Sequence, residues 1–335
     1  MVKNYIHKTL AGILLAGSLM FSNESYSQFT RSDYSTYTPP VYDVFPSRFD
    51  KRLEKEKKTN KTSNKKDKYA LLIAGENDER FMRDISLIYQ ILLELDFKKE
   101  NIYILDEYGR ENLIYPSDTT ATRENIKKIL SHLETKIDSN DIFLTHITTH
   151  GAKILDTRKD STEEQTQKKQ SVYDVIRSEH QDLMWNYLRP LLPEEFEFLT
   201  ALKIPGVNYN YKDYFTELEF EESYSKIKPG LGIFTTGACY GAAFAKIIAN
   251  KKNFVGIASS KIDQEATIKN TESFPRYLYG AFRNIEEADT DKNNKISIDE
   301  IFEYAKKKQY SVVEGIDDPM IFPNNGLRTN NLFLK

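Results

Sequence analysis

Leu231-Gly232-Ile233-Phe234-Thr235-Thr236-Gly237-Ala238-Cys239-Tyr240-Gly241, followed by Ala242-Ala243-Phe244-Ala245-Lys246-Ile247-Ile248-Ala249, decides how this chain folds. An apolar run gives way to small residues, then to the only cysteine in 335 residues, then to a helical pattern. The reading is strand, turn, helix, with the Cys239 sulfur at a helix N-terminus, where unpaired N–H groups and the dipole favour thiolate over thiol. Upstream, Asp141-Ile142-Phe143-Leu144-Thr145-His146-Ile147-Thr148-Thr149 is a second apolar run, and it ends in His150-Gly151. Two such strands in one parallel sheet bring their C-terminal ends to a common edge, where open α/β sheets place their sites. Cysteine and histidine are therefore expected to meet.

Working outward, Ala70-Leu71-Leu72-Ile73-Ala74 and Asn101-Ile102-Tyr103-Ile104-Leu105 have the continuous apolar character of buried parallel strands. Residues 81–95 show helical spacing with Ile85, Ile88, Tyr89, Leu92 and Leu93 on one face. Thr122 caps a helix that runs through Ile126, Ile129, Leu130 and Leu133. Beyond the cysteine, Phe254-Val255-Gly256-Ile257-Ala258-Ser259-Ser260 is another strand, residues 274–282 a helix, and Ile301-Phe302-Glu303-Tyr304-Ala305 part of a last one. A terminal strand or edge is expected between Asp317 and Leu334. The alternation predicts an α/β three-layer sandwich, with a mostly parallel six-stranded sheet flanked by helices. Residues 152–229 break the alternation and read as an insertion: an exposed loop at 156–169, then a helix over 172–192 interrupted by Pro190 and Pro193.

The chain is 39% hydrophobic and 29% charged with a formal net charge of −3, which makes it globular and offers no electrostatic case for nucleic acid. Lys3 and Lys8, an apolar stretch at 10–21 and Ser25-Tyr26-Ser27 predict a signal peptide over 1–27, too short for a stable membrane span. The mature protein is then secreted, periplasmic or at the cell surface, and in an oxidising compartment a lone cysteine is either a buried small hydrophobe or a reactive thiol. Residues 28–68, with Pro39-Pro40 and a lysine-rich run from Lys51 to Lys68, read as a basic linker or pro-segment suited to an anionic surface. The folded domain is expected over 69–335.

Chemically, Cys239 is the candidate nucleophile and His150 the acid/base, with the N–H groups of Gly151 and Cys239 as oxyanion donors. His146, four residues before His150, would share a helix face with it, but on a strand the two make no metal pair, and zinc is not expected. His132 and His180 read as helix-surface residues, and Trp185 and Tyr187 as packing.

Asp289-Thr290-Asp291-Lys292-Asn293-Asn294-Lys295-Ile296-Ser297-Ile298-Asp299-Glu300 matches a calcium loop. Asp289, Asp291 and Asn293 supply side-chain oxygens, Lys295 a backbone carbonyl, Ser297 the ninth position and Glu300 a bidentate carboxylate. Asn294 stands where glycine is usual, and asparagine tolerates the left-handed conformation. Structural calcium is the only cofactor expected, and no organic one.

An apolar strand into His150-Gly151, another into Ala238-Cys239-Tyr240-Gly241, and the strand end Ala258-Ser259-Ser260 together resemble the caspase-hemoglobinase group of cysteine peptidases, which includes legumains, metacaspases and clostripain-like enzymes. Ala74-Gly75-Glu76-Asn77 through Arg80, Asp84 and Tyr89-Gln90-Ile91-Leu92 resembles the opening of legumain. The resemblance implies a secreted endopeptidase acting on peptide or protein substrates, with His150 and Cys239 as its dyad. Legumains and metacaspases carry an acidic residue two positions before the cysteine. Here it is Gly237, so the resemblance assigns no preferred cleavage residue. Arg80 resembles the legumain pocket arginine and suits an acidic or amide side chain, Asp263 and Glu265 suit a basic one, and Arg80 and Asp84 one turn apart also suit a surface pair. A transpeptidase on the same fold and a catalytically idle calcium-binding module stay open, as does the oligomeric state.

Overall fold

The computed structural model describes residues 47–56, 66–109, 115–156, 158, 160, 162–179, 188–192, 197–205, 212–266, 273–313 and 317–323. The readings made for the signal peptide, most of the linker, His180, Trp185, Tyr187 and residues 331–334 lie outside the described residues.

A seven-stranded sheet forms the centre, not the six expected from the sequence. Its members are β1 (Lys68–Ala74), β2 (Ile102–Asp106), β3 (Thr119–Thr120), β4 (Ile142–Thr148), β8 (Leu231–Thr236), β9 (Phe254–Ala258) and β10 (Met320–Phe322), in the spatial order β10-β9-β8-β4-β1-β2-β3. All pair in parallel except β10, which runs antiparallel to β9. The additional strand is β3, two threonines against Leu105 and Asp106, too short to leave a hydrophobic run in the sequence.

Alternation along β1 explains the layers. Ala70, Leu72 and Ala74 enter one core with α2 (Glu79–Glu94), α7 (Phe274–Gly280) and α9 (Ile298–Val313). Tyr69, Leu71 and Ile73 enter the other with α1 (Arg48–Glu56), α3 (Arg123–Glu134), α5 (Glu217–Tyr224) and α6 (Ala242–Ala249). A parallel strand buried on both faces reads as a continuous apolar run, which is why β1, β4 and β9 were legible. Helices flank the sheet on both sides, compatible with a three-layer sandwich.

Three local differences from the sequence reading have physical reasons. The folded unit begins upstream of Tyr69: α1 buries Phe49, edge-on to Tyr103 at 6.1 Å, just ahead of the lysine-rich run from Lys51, whose charges mask the helix. On α2, Ile85, Ile88, Tyr89 and Leu92 face inward as expected, but Leu93 is exposed and Ile91 is buried in its place. The third concerns 152–229, which carries regular structure of its own. An antiparallel sheet of β5 (Gly151–Leu155), β6 (Phe198–Pro205) and β7 (Lys212–Thr216) forms there, and residues 163–169, expected as loop, open the helix α4 (Glu163–Glu179). The segment also returns α5 to the main core, where Phe220 and Tyr224 stack at 4.9 Å.

Candidate active site and acidic loop

β4 and β8 are direct neighbours in register, with His146 opposite Thr235 and Ile147 opposite Thr236. Their hydrogen bonding continues past the ends, Gly237 N–H to Ile147 O at 3.0 Å, and Gly75 N–H after β1 to Thr148 O at 3.1 Å. Three strand ends therefore open onto one edge, carrying Glu76, Asp78 and Arg80 from β1, His150-Gly151 from β4, and Cys239 from β8.

Gly151 and Cys239 are in direct backbone proximity. A β-carbon on Gly151 would lie 2.0 Å from the Cys239 carbonyl oxygen, so glycine is required by this approach and not by its dihedral angles. Lys203 N–H donates to His150 O at 2.9 Å. Gly151, opposite Leu202, thus sits in the non-bonded register of the β5–β6 pair, with its own N–H turned off the open edge of β5. Its dipole acts on the Cys239 thiol and favours the thiolate.

The cysteine loop is held by the end of β9. Ser260 Oγ donates to Ala238 O (3.2 Å) and accepts from Gly241 N–H (3.3 Å), while Tyr240 N–H donates to Gln264 O at 2.8 Å. Tyr240 adopts φ +58°, a left-handed conformation costly for an aromatic residue and held here by those bonds.

The expected pre-activation of Cys239 is not what the structure displays. α6 begins only at Ala242, so the sulfur does not lie in the first helical turn, where the dipole acts. Burial pushes the thiol above its ordinary value, and the charges of Glu265 and Asp317 push the same way. N–H groups of Ala266 (3.3 Å to the sulfur) and Gly151 oppose this without reversing it.

His150 is half-exposed, edge-on to Phe81 with ring centres 5.4 Å apart, and its Nε2 lies 3.8 Å from Glu76 Oε2. Partial burial holds its imidazole below the ordinary value, Glu76 and Asp78 pulling up and Arg80 and Lys203 down. At neutral pH it is a free base, the form able to take a proton.

Arg80 does not pair with Asp84. Its guanidinium grips Asp78 through two bonds of 2.9 and 2.6 Å, and its charge is felt at Cys239 and Glu76. Asp84 is buried and accepts from Ser273 Oγ at 2.9 Å. Glu265 accepts from Tyr240 OH at 2.8 Å, and Asp263 is an exposed turn residue whose charge acts on Lys153 and Lys261.

Two residues at this edge escaped the sequence reading: Glu76, quoted only as part of a strand end, and Lys203, which ion-pairs with it at 3.2 Å. The run Phe198-Leu199-Thr200-Ala201-Leu202-Lys203-Ile204-Pro205 is the signal that could have placed Lys203 on a strand. Beside Gly151 lies a groove of about 540 Å³ lined by Lys153, Leu155, Tyr173, Tyr240 and Glu265 among others. Lys153 Nζ donates to Thr200 Oγ1 at 2.8 Å and lies 5.4 Å from the Tyr240 ring centre.

His146 is fully buried, its Nδ1 2.8 Å from Thr235 Oγ1, whereas His150 is half-exposed. Burial pushes its pKa down to about 3. The unfolded chain takes up this proton near pH 6.5 and the folded chain does not. Stability is therefore lost as pH falls from about 6.5 toward 3, at about 1.4 kcal/mol per pH unit for one group. Urea unfolding between pH 7 and 5 is expected to show a shallower pH slope for His146→Gln than for wild type. Equal slopes would contradict this burial.

The loop 289–300 joins the short helix α8 (Ile285–Ala288) to α9. Asp289, Asp291 and Glu300 can bring carboxylate oxygens within 4.8 Å of one another, a set able to hold a metal ion. Asp289 accepts from the N–H groups of Asn293 (3.1 Å) and Asn294 (2.8 Å), and Asn293 Oδ1 from Lys295 N–H (2.8 Å). Asn294 has φ +64°, the left-handed turn expected at the glycine position. Glu300 is held below the ordinary carboxylate range, because burial, which raises it, is outweighed by bonds from Ser297, Asp291 and Thr290.

No protein-family model and no curated protein matches the sequence. Among solved structures, the chain is similar to protein GSU0716 from Geobacter sulfurreducens, at 12% sequence identity over 76% of this chain and 92% of that one, with a TM-score of 0.47.

Proposed function

We propose that this chain is a secreted cysteine endopeptidase of caspase-like architecture, with Cys239 as nucleophile, His150 as acid/base and calcium in the 289–300 loop as a structural ion. The observation that carries the reading is the close backbone approach of Gly151 to Cys239, which delivers the two motif ends to one edge of the sheet. The imidazole takes the thiol proton, and the sulfur attacks the peptide carbonyl carbon. The N–H groups of Gly151 and Cys239 receive the negative oxygen. Collapse breaks the C–N bond, and His150 returns its proton to the departing amine. Water then cleaves the thioester and frees the thiol, whereas an amine in its place gives transpeptidation.

Arg80, Asp263 and Glu265 are the proposed pocket residues. Calcium suits the loop because its donors are hard oxygens, three of them carboxylates.

Cleavage of a peptide library by wild type, with none by Cys239→Ala, is the test. Absence of cleavage by both would remove the peptidase reading. The raised thiol favours one alternative, an idle module on the same fold. Alkylation by iodoacetamide separates the two. Because the Glu265 charge helps to raise the thiol, Glu265→Gln is expected to speed alkylation at pH 7 several-fold. A sulfur that reacts only after unfolding, in both proteins, favours the idle module.

A further inference from the structure

At the opposite end of the strands from Cys239, an open cavity of about 660 Å³ is bounded by α1, the turn before β2 and the turn after α3. Arg48, Arg52, Lys55, Lys99 and Lys136 line it, with Glu100 as the one carboxylate in its wall. The whole chain carries a net charge of −3, so this concentration of positive charge is local and is not a consequence of composition.

Part of that charge is spent inside the fold. Arg52 Nη1 donates to both oxygens of buried Asp118 (2.9 and 3.0 Å) and to Ile102 O (3.0 Å), and Nη2 donates to Glu100 O. Arg48 shares the same carboxylate through Nε at 3.6 Å. One carboxylate thus faces two guanidinium groups, and Arg48 Nη1 is buried without a hydrogen-bond partner among the described residues. Lys55 and Lys99 are exposed at the mouth, and among the described residues neither makes an ion pair. A buried guanidinium N–H lacking an acceptor is costly, and an anion in the cavity would supply one.

We infer that this cavity binds a compact anion bearing two or three phosphate groups. Its volume lies in the range of small-molecule sites and exceeds what one phosphate fills. Its donors combine a planar guanidinium fork with point-charge ammonium groups, the pairing suited to clustered phosphate oxygens. The site also gives a role to the lysine-rich run, since α1 folds part of it against the domain.

The test uses sodium tripolyphosphate with the full chain in buffer free of calcium and magnesium, so that chelation from the 289–300 loop is not read as binding. Calorimetry is expected to give one saturable site. Lys55→Gln/Lys99→Gln, both surface positions, is expected to unfold at the wild-type temperature and to bind roughly tenfold more weakly. Absence of saturable heat, or equal affinity in the double variant, overturns the site. A second arm identifies the source of the phosphates with phosphatidylcholine vesicles containing cardiolipin. Sedimentation of wild type that tripolyphosphate competes away supports a lipid-borne ligand, and calorimetric binding without sedimentation supports a soluble one. Sedimentation undiminished in the double variant counts against the cavity.

Discussion

Gly151→Ala is expected to lower peptide cleavage by at least about a hundredfold while the unfolding temperature falls by only a few degrees. The new methyl carbon would start 2.0 Å from the Cys239 carbonyl oxygen, with the carbonyl carbon and Cα of the same residue also too close, at 2.9 and 3.3 Å. Contacts that short do not persist, so β5 and the cysteine loop must separate by about an ångström, enough to take a nucleophile out of attack geometry. β5 is an edge strand paired only with β6, and can shift without disturbing the central sheet. Overpacking there should cost about 1–3 kcal/mol. Steady-state cleavage of the best library peptide, compared with thermal unfolding by circular dichroism, separates the two effects. Undiminished cleavage in the variant would mean that the Gly151–Cys239 contact has no part in the chemistry.

Calcium is expected to raise the unfolding temperature of wild type and to leave Glu300→Gln unmoved. At a hundred times its dissociation constant, a ligand that binds only the folded state adds about 2.7 kcal/mol. In a chain of this size that is several degrees. The gain should reach the global transition because the loop leads straight into α9, whose Ile298, Ile301, Phe302 and Ala305 pack in the core with Phe274 and Leu278. Glu300 is the decisive position. It already gathers bonds from Thr290 (2.9 Å), Asp291 (3.3 Å) and Ser297 (2.9 Å), which aim both carboxylate oxygens into the loop. Glutamine keeps the size but loses the charge and one acceptor oxygen, so the variant should also lose about 1 kcal/mol without calcium. Differential scanning calorimetry with calcium, and with magnesium as control, measures both. Equal calcium shifts in the two proteins would rule the loop out as the ion's site.

The elements that read well in the sequence are those whose burial is uniform. Lys68–Ala74 and Ile142–Thr148 are covered by helices on both faces, so every position prefers an apolar or small residue and the run stands out. α6 is legible to its ends for a different reason, an inward stripe of Ala242, Phe244, Ala245 and Ile248 at helical spacing. Thr119–Thr120 had no such signature, because two residues carry no period. β5 was hidden because four of its five residues are only partly buried, which removes the alternation a strand otherwise shows.

At the candidate site, the sequence located both motifs through the apolar runs that precede them, and that much is a local property. The electrostatics were not. A thiol two residues ahead of a helix cap was expected to be acidified, yet the dipole's reach ends within the first turn, and desolvation together with Glu265 and Asp317 prevails. Arg80 chose Asp78 over Asp84 because Asp84 is buried against Ser273, a partner 189 positions away.

The residues themselves determined the layered α/β class, the strands and helices of uniform burial, the cysteine and histidine at strand ends, and the oxygen-rich loop with its asparagine turn. These follow from short-range periodicity and side-chain chemistry, which a chain carries wherever it goes. Tertiary packing alone decided the contact of Gly151 with Cys239, the protonation preference of the sulfur, the antiparallel sheet that starts at Gly151 and the gathering of cations from 48–55, 99 and 136 around one cavity. Each of those depends on distances between segments far apart in sequence, and on the water that folding removes from between them.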